Sequence, residues 1–425
     1  MSLIKSVKGT RDYYPENMAF RTWLYAAIRH VSESFGYQEF EAPFLERFEL
    51  YAAKSGDELV SQQAYVFEDR GGERIVLRPE LTPSLARMVA ARGRNLQPPI
   101  RWWSFGPFWR YERPQRGRSR EFFQWNIDLL GIDSAQADAE IVAVLASFFE
   151  NLNLDPDQVR IFINNRPLME SLLRRAGFPT TQNSQIFRFI DRKDKMKDQK
   201  WQDYGAKLGF DPTEIHTIES ILAKEDAWSE SAELTAFFTA CDALNISKYL
   251  KFDPTVIRGL DYYTGTVFEA RDVGASERAI LGGGRYDNLV AEVGGESLPG
   301  VGFAMGDVVI RLVLENYDLL PELQVNPSDI LVIYFDENLR NETLSLAAKL
   351  RAAGINAEWY PQPHRLDRQF KYADRQGIPF ALILGPDEAK NGSVALKNLI
   401  SGEQDQINQS DLIENLRSSL EQAST

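Results

Sequence analysis

Hydrophobic positions recur with a helical period near the start of the chain. After Pro15, apolar residues stand three or four positions apart as far as Phe35, and Gly36 follows directly. This spacing places the apolar side chains on one face of a helix, and glycine commonly ends a helix. The pattern therefore predicts an amphipathic helix over 15–35, followed by a strand that ends near Pro43.

The middle of the chain alternates between strand-like and helix-like patterns. Short apolar runs separated by turn residues fill the segment 75–131 and predict an antiparallel sheet. The segment 165–250 is charged and helix-like, which predicts a mainly helical insertion. Strand-like patterns return at 256–271 and 279–281, and a nearly all-apolar helix is expected after Gly306. The insertion therefore divides a sheet-forming region into two parts.

A second folding unit is expected towards the C-terminus. Residues 317–328 contain Pro321 and Pro327 and few order-promoting residues, so the main linker is placed there. Strand-like segments follow at 330–335, 357–360, 380–384 and 393–399, and helix-like segments at 338–353, 365–376 and 410–420. This interleaving is typical of a separate α/β domain.

Together the patterns predict an α+β fold in which helices flank an antiparallel sheet core. Four regions are expected: 1–165 and 251–320 as the two parts of the core, 166–250 as the helical insertion, and 328–425 as the C-terminal α/β domain. A chain of 425 residues exceeds what one hydrophobic core usually organises, which supports more than one domain.

Charge and cysteine usage narrow the classes of function. The net charge of −13 argues against nonspecific coating of nucleic acid, because such binding depends on Lys and Arg. Cys241 is the single cysteine, which excludes a disulfide framework and a multi-cysteine metal site. The three histidines are too scattered to suggest metal ligation or a Ser/His triad. With no apolar run of membrane-spanning length and no signal-peptide pattern, the cytoplasm is the expected location.

Five arginines fall within eleven residues, and this density is the first candidate for chemistry. They are Arg110, Arg113, Arg116, Arg118 and Arg120. Guanidinium groups bind phosphate oxygens in a bidentate manner, so the cluster suits a polyphosphate or an RNA terminus. The alternative is a solvated loop in which Glu112 and Glu121 pair with the arginines.

Three further motifs carry candidate binding groups. The stretch RGLDYYTGTVFEA places Arg258 before two tyrosines and a strand, and its alternative interpretation is a sheet-edge strand with ordinary aromatic residues. In LRPELT, Glu80 and Thr82 would share one face of a strand, where they can jointly receive an ammonium group. The stretch GGGRYDNL is expected to form a Gly-rich turn. It matches neither the G-x-G-x-x-G nor the Walker A pattern.

In this order the motifs resemble the histidyl-tRNA synthetases, a family of class II aminoacyl-tRNA synthetases, along essentially the whole chain. The opening KGTRDYYP resembles the start of the family, and the helix that leads to Pro43 resembles class II motif 1, which implies a homodimer. The arginine-rich stretch resembles motif 2. RGLDYYTG and GGGRYD resemble two histidine-specific signatures, and the stretch 365–399 resembles the anticodon-binding domain.

The resemblance implies a role for each matching residue at the histidine end of the site. Glu80, Thr82 and Gln124 would hold the α-ammonium group of histidine. Asp128 and Tyr263 would bond the two imidazole nitrogens, and Tyr262 would line the same pocket. Asp128 is expected to stay ionised so that it can accept an imidazole N–H.

At the ATP end, the resemblance implies four further roles. Arg110 would contact the α-phosphate and the substrate carboxylate, Arg118 the distal phosphates, and Phe122 would stack on adenine. Arg258 would act as the catalytic cation on the α-phosphate. The implied activity is histidine–tRNA ligation with ATP, L-histidine and tRNA(His) as partners and Mg²⁺ bridging the phosphates, without a membrane.

The chain departs from the family pattern at class II motif 3. In GFAMGDVVIRL, Val308 and Val309 occupy the places of an acidic residue and of an arginine that stacks on adenine. If a helix begins near Asp307, Arg311 is rotated by about 200° from Val309 and points away from the nucleotide.

Two other families have been weighed against the synthetase interpretation. One is the non-enzymatic regulatory subunit of ATP phosphoribosyltransferase, which resembles the synthetase core. Arg258, the arginine-rich motif 2 and the long C-terminal domain argue against it. A prolyl- or threonyl-tRNA synthetase lacks support from RGLDYY.

Overall fold

A computed structural model describes residues 3–52, 63–257, 262–274, 279–362 and 364–423. Two compact units divide the chain: Met1–Asp12 with Arg21–Pro321, and Tyr13–Phe20 with Glu322–Thr425. Among the described residues, none of the helices is long and apolar enough to cross a membrane.

A large sheet and a small sheet organise the first unit. Its strands are β1 (Gln38–Glu39), β2 (Leu45–Arg47), β3 (Tyr65–Glu68), β4 (Arg74–Leu77), β5 (Ile100–Trp109), β6 (Glu121–Leu130), β7 (Val159–Asn165), β8 (Leu250–Phe252), β9 (Thr266–Asp272), β10 (Ala279–Tyr286) and β11 (Gly300–Gly306). The large sheet has the order β1-β5-β6-β11-β10-β9-β7-β8, and the small one β2-β4-β3. Strands β5, β6, β11, β10, β9 and β7 are antiparallel to their neighbours in that order, as the alternating patterns predict.

Helices accompany the two sheets, and several of them come between β7 and β8 in the sequence. They are α1 (Pro15–Ser34), α2 (Phe48–Ala52), α3 (Thr82–Arg92), α4 (Ala135–Asn151), α5 (Arg166–Arg175), α6 (Asn183–Ile190), α7 (Asp198–Lys207), α8 (Pro212–Leu222), α9 (Ala232–Ala243), α10 (Leu289–Glu292) and α11 (Asp307–Asn316). The predicted helix over 15–35 corresponds to α1, and the expected start of a helix near Asp307 corresponds to α11. The charged region expected to be helical contains α5 to α9.

One face of the large sheet packs against α4 and forms the core. The Trp125 ring lies 5.0 Å from Phe148 of α4 and 4.8 Å from Phe303 of β11. The opposite face carries the residues that alternate with these along each strand, because successive strand side chains point to opposite sides.

Within the segment predicted as sheet, residues 82–92 form helix α3, so the prediction of continuous sheet is wrong there. Pro83 lies in the first turn of α3, where proline is compatible with a helix. Leu85 and Val89, four residues apart, are buried on one side of the helix. β4 ends at Leu77, before Glu80 and Thr82. These two residues therefore do not lie on one face of a strand, and the prediction that they do is wrong.

The predicted Gly-rich turn is also wrong, since Gly282–Tyr286 lie within β10, between β9 and β11. A Cβ on Gly283 would collide with the carbonyl oxygen of Gly302 and lie 2.6 Å from the Phe268 ring. Glycine is therefore required here by close packing between strands rather than by chain reversal.

The second unit is an α/β domain with a mixed sheet. Its elements are β12 (Ile330–Ile333), α12 (Arg340–Ala352), β13 (Ala357–Trp359), α13 (Leu366–Gln376), β14 (Phe380–Ile383), α14 (Pro386–Asn391), β15 (Ser393–Asn398), β16 (Gln404–Asn408) and α15 (Leu412–Ala423). The strand order is β13-β12-β14-β15-β16, with β12 parallel to β13 and β14 and the last two pairs antiparallel. The sequence analysis missed α14 and β16. Residues 317–329, all described, form no helix or strand.

Candidate functional site

On the face of the large sheet opposite α4, every second residue of β6 points towards the candidate site, and these residues include one aromatic and two polar side chains. Phe122, Gln124 and Asp128 project from this face because they are separated by even numbers of residues. Their cross-strand neighbours are small, with Gly106 of β5 opposite Gln124 and Gly302 of β11 opposite Asp128. Directly paired residues point to the same face, so a missing side chain lets another group approach the sheet. The Arg78 guanidinium and the Glu41 carboxylate take the space at Gly106, and the Asp128 carboxyl takes the space at Gly302.

Asp128 is the buried carboxyl of this face, with 4% of its surface exposed. The Tyr286 hydroxyl donates a hydrogen bond of 2.5 Å to Asp128 Oδ1. Burial raises the pKa of Asp128 to about 7, and the hydrogen bond from Tyr286 lowers it in part. The expectation that Asp128 stays ionised therefore needs correction, because near neutral pH a substantial fraction is protonated.

Glycines make space for this carboxyl and for the adjacent tyrosine. A Cβ on Gly302 would collide with Asp128 Oδ1 and lie 2.5 Å from the Ile127 carbonyl oxygen. A Cβ on Gly284 would lie 2.9 Å from the Tyr263 ring. Substitution at either position has to displace a residue of the candidate site.

Glu80 enters the site from the segment that links β4 to α3. The Trp109 backbone N–H donates to the Arg78 carbonyl at 3.2 Å, and the Tyr51 hydroxyl donates to the Glu80 carbonyl at 3.0 Å. These bonds fix the segment beside the end of β5. The Glu80 side chain accepts a hydrogen bond of 3.4 Å from the Tyr262 hydroxyl, and Tyr262 also bonds to Thr82.

Three tyrosines connect the two carboxyl groups. The Tyr262 ring lies 5.0 Å from Tyr263 and 6.0 Å from Tyr286. Burial raises the pKa of Tyr262 well above its usual value, and the nearby charge of Glu80 raises it further. Asp128 also interacts electrostatically with Tyr262, which places both carboxyl groups in one cluster. Tyr286 lies in the motif GGGRYDNL, but no role was predicted for it from the sequence.

Gln124 carries an acceptor that lacks a partner. Its Oε1 atom is buried and accepts no hydrogen bond within the part of the chain that the structure describes. A buried acceptor without a donor costs free energy, on the order of 1–3 kcal/mol. Such an atom on the same face as Asp128 favours binding of a ligand that donates hydrogen bonds.

Arg110 and Phe122 lie together, whereas Arg118 belongs to an ion pair. Arg110 Nε donates to the Pro79 carbonyl at 2.9 Å, and its guanidinium carbon lies 5.3 Å from the centre of the Phe122 ring. Arg118 is exposed and pairs with Glu112 at 3.3 Å, as the solvated-loop alternative expects for this arginine. The structure thus brings Arg110, but not Arg118, next to the predicted adenine-stacking residue.

The start of α11 contains a carboxylate that sequence reasoning missed. Asp307 Oδ2 accepts a hydrogen bond from Arg11 Nη2 at 2.9 Å, and Asp307 Oδ1 accepts one from the Phe123 backbone N–H at 2.9 Å. Arg311, four residues further along α11, pairs with Glu315 at 2.9 Å. The predicted catalytic residue Arg258 lies outside the described residues.

Comparison with known families accounts for both units. Residues 329–419 match a family model described as Anticodon binding domain. An antiparallel core followed in the sequence by a domain of this family is the arrangement expected of an aminoacyl-tRNA synthetase. Residues 9–307 match the model described as Histidyl-tRNA synthetase. The chain belongs to the histidyl-tRNA synthetase family, and the resemblance drawn from the sequence is confirmed.

Individual relatives support the same assignment over nearly the full length. The chain is 38% identical over 418 residues to the chloroplastic/mitochondrial histidine–tRNA ligase of Arabidopsis thaliana, which covers 95% of this chain and 85% of the relative. It is 33% identical over 428 residues to the histidine–tRNA ligase of Leptospira biflexa, covering 98% of both. The crystal structure of histidyl-tRNA synthetase from Nostoc sp. PCC 7120 aligns with a TM-score of 0.83 at 28% identity, covering 99% of this chain and 100% of that one. The predicted α+β class is confirmed.

Proposed function

We propose that the chain activates L-histidine with ATP to histidyl-adenylate and pyrophosphate, and then transfers histidine to the 3′ end of tRNA(His). Family membership over both units supports this activity. The observation that carries the choice of amino acid is the buried Asp128–Tyr286 pair beside Tyr262, Tyr263 and Glu80. A cluster of a carboxyl and several hydroxyl groups suits an imidazole with two polar nitrogens.

At the histidine end, the two carboxyl groups bind different parts of the substrate. Glu80 and Thr82, with the unpartnered Gln124 oxygen, hold the α-ammonium group, which donates hydrogen bonds and carries the balancing charge. Asp128 accepts one imidazole N–H, and Tyr263 bonds the other nitrogen. Tyr286 keeps Asp128 oriented because its hydroxyl occupies Oδ1.

At the ATP end, fixed cations and an aromatic ring position the reacting groups. The histidine carboxylate oxygen attacks the α-phosphorus, and the bond from that phosphorus to the pyrophosphate oxygen breaks. Arg110 and Arg258 stabilise the negative charge that develops on the α-phosphate, Arg118 leaves Glu112 to meet the distal phosphates, and Phe122 stacks on adenine. Such transfer depends on positioning and electrostatics, so no protein nucleophile is required.

We expect Mg²⁺ to enter the site with ATP, as the MgATP substrate. Within the described residues, no group of three or more His, Cys, Asp or Glu side chains is arranged to hold a metal ion. Mg²⁺ commonly binds through substrate phosphates and keeps several waters, which requires few protein ligands.

Other features of the proposal follow from the family. A homodimer, a cytoplasmic location and anticodon recognition by the unit from 328 onward remain predictions. The regulatory-subunit alternative is less supported, because the family model and the relatives described above are those of histidine–tRNA ligases.

Histidine-dependent exchange of pyrophosphate into ATP tests the proposal directly. The purified chain should catalyse exchange with histidine but not with proline, threonine or glycine, and should charge tRNA(His). Arg258→Ala should slow exchange by about 10²–10³, the usual cost of losing a preorganised charge donor. Histidine binding without exchange would favour the regulatory subunit instead.

A further inference from the structure

An ion pair joins the N-terminal segment to motif 3, and the local sequence does not predict it. Arg11 and Asp307 are 296 residues apart, yet their side chains form an ion pair of 2.9 Å. Asp307 is 6% exposed and also accepts the Phe123 N–H at 2.9 Å. One buried carboxylate therefore connects the N-terminal segment, the start of β6 and the start of α11.

Backbone hydrogen bonds hold the segment that carries Arg11. The Gly9 carbonyl accepts from the N–H groups of Arg120 at 2.8 Å and Glu121 at 3.2 Å. Gly9 has φ +90°, and a Cβ there would lie 2.8 Å from Arg120 Cγ. The segment is thus packed against the residues that lead into β6, which limits the positions that Arg11 can reach.

The two elements joined by Asp307 are those that flank the adenine subsite of the proposed function. Phe122 precedes the residue whose N–H binds Asp307, and Val309 lies in the first turn of α11 after Asp307. Asp307 also stands at the helix N-terminus, where a negative charge is favourable. Loss of Arg11 would remove a cation 2.9 Å from this buried carboxylate, which is unfavourable and changes how the carboxylate is held.

We infer that Arg11 and Asp307 are positioning residues for the adenine subsite. They hold the elements beside this subsite in place, in a chain where Val308 and Val309 stand at the usual places of the acidic residue and the arginine of motif 3. The pair fixes the distance between the Phe122 ring and the start of α11, so it acts on ATP and not on histidine. This inference rests on the proposed function, because it assumes that ATP binds beside Phe122.

Kinetic separation of the two substrates tests the inference. Arg11→Met and Asp307→Asn should each raise the KM for ATP in pyrophosphate exchange by about tenfold, because small displacements of positioning groups cost this much or more. The KM for histidine should stay within about twofold, and the double variant should cost less than the product of the two single effects. Arg311→Ala, which removes an exposed pair with Glu315, is the matched control and should leave both values unchanged.

A second measurement separates positioning from folding and from failure of the proposed function. Arg11→Lys, which keeps the charge, should fold as the wild type does and restore part of the ATP affinity measured by calorimetry. Equal rises in both KM values, or unchanged ATP binding in all variants, would overturn the inference. If the wild type lacks exchange but the variants still bind ATP more weakly, the inference stands and the proposed function fails.

Discussion

At the scale of single residues, the chemistry of the site could be named from the sequence, but the partners of its groups could not. Asp128 was assigned to the imidazole from its motif. Its hydrogen bond to Tyr286 depends on β6 and β10 both flanking β11, and the sequence analysis had placed Tyr286 in a turn. A hydrogen-bond partner 158 residues away is fixed by strand order, which composition and local spacing do not contain.

The raised pKa of Asp128 predicts how histidine binding depends on pH. The ionised carboxyl accepts an imidazole N–H more strongly than the neutral one. With a pKa of about 7, the ionised fraction of Asp128 rises by roughly tenfold between about pH 6 and 8. The KM for histidine in pyrophosphate exchange should fall across this range. Asp128→Asn should keep only the smaller change due to the free imidazole of histidine, and an identical profile in both proteins would exclude Asp128 as the acceptor.

The same proton has an effect on stability, with a definite sign. Folded Asp128 holds its proton up to about pH 7, whereas the unfolded chain releases it near an ordinary value of about 4. Between these values the folded state binds more protons, so the contribution of Asp128 to the free energy of unfolding falls as pH rises. Denaturant titrations should therefore show Asp128→Asn gaining stability relative to wild type from about pH 4 to 7.

Arg311 tests whether motif 3 has kept a nucleotide-stacking arginine. It is 38% exposed and pairs with Glu315 one turn further along α11, so Arg311→Ala should cost at most about 0.5 kcal/mol and leave the KM for ATP nearly unchanged. Phe122→Ala should weaken ATP binding clearly, and Val309→Arg should be tolerated or improve it by about 0.5–2 kcal/mol through a cation–π contact. A selective loss of ATP affinity in folded Arg311→Ala would show that Arg311 stacks on adenine.

At the scale of elements, success followed the strength of the hydrophobic period. α1 and the strands from β12 to β15 carry clear apolar patterns and were predicted. β16 was missed because its sequence QDQIN is polar and largely exposed at the sheet edge. β10 was misread because its consecutive glycines suggest a turn, although close approach of the neighbouring strands is what requires them.

Two glycines of β11 offer a matched test of this packing argument. Gly302→Ala places a methyl group against Asp128 and the Ile127 carbonyl, so it should destabilise the fold by about 1–3 kcal/mol and raise the KM for histidine. At Gly306, on the same face of the strand, a Cβ meets no described atom within 4 Å, so Gly306→Ala should leave stability nearly unchanged. Urea unfolding of both variants gives the comparison, and equal losses would refute the steric explanation.

At the scale of the whole molecule, bulk composition gave little information about the partner. The net charge of −13 does not indicate that five arginines lie within one stretch of eleven residues. Nor does it indicate that this acidic chain contains a domain that matches an anticodon-binding family. RNA binding depends on where cations lie, and only motifs and folding place them. The predicted linker contains Pro321, at which the two compact units divide in this part of the chain, while Tyr13–Phe20 group with the second unit.

We expect division of the chain at this predicted linker to separate the two half-reactions. The groups assigned to histidine and ATP all precede Pro321, so a fragment that ends there should retain histidine-dependent pyrophosphate exchange. It should charge tRNA(His) poorly, because the unit that matches the anticodon-binding family is removed and long-range contacts with the tRNA are lost. Charging should recover little when the isolated segment 322–425 is added, since linked sites bind at a much higher effective concentration than separate ones. If fragment and full chain charge tRNA equally well, the second unit does not recognise the anticodon.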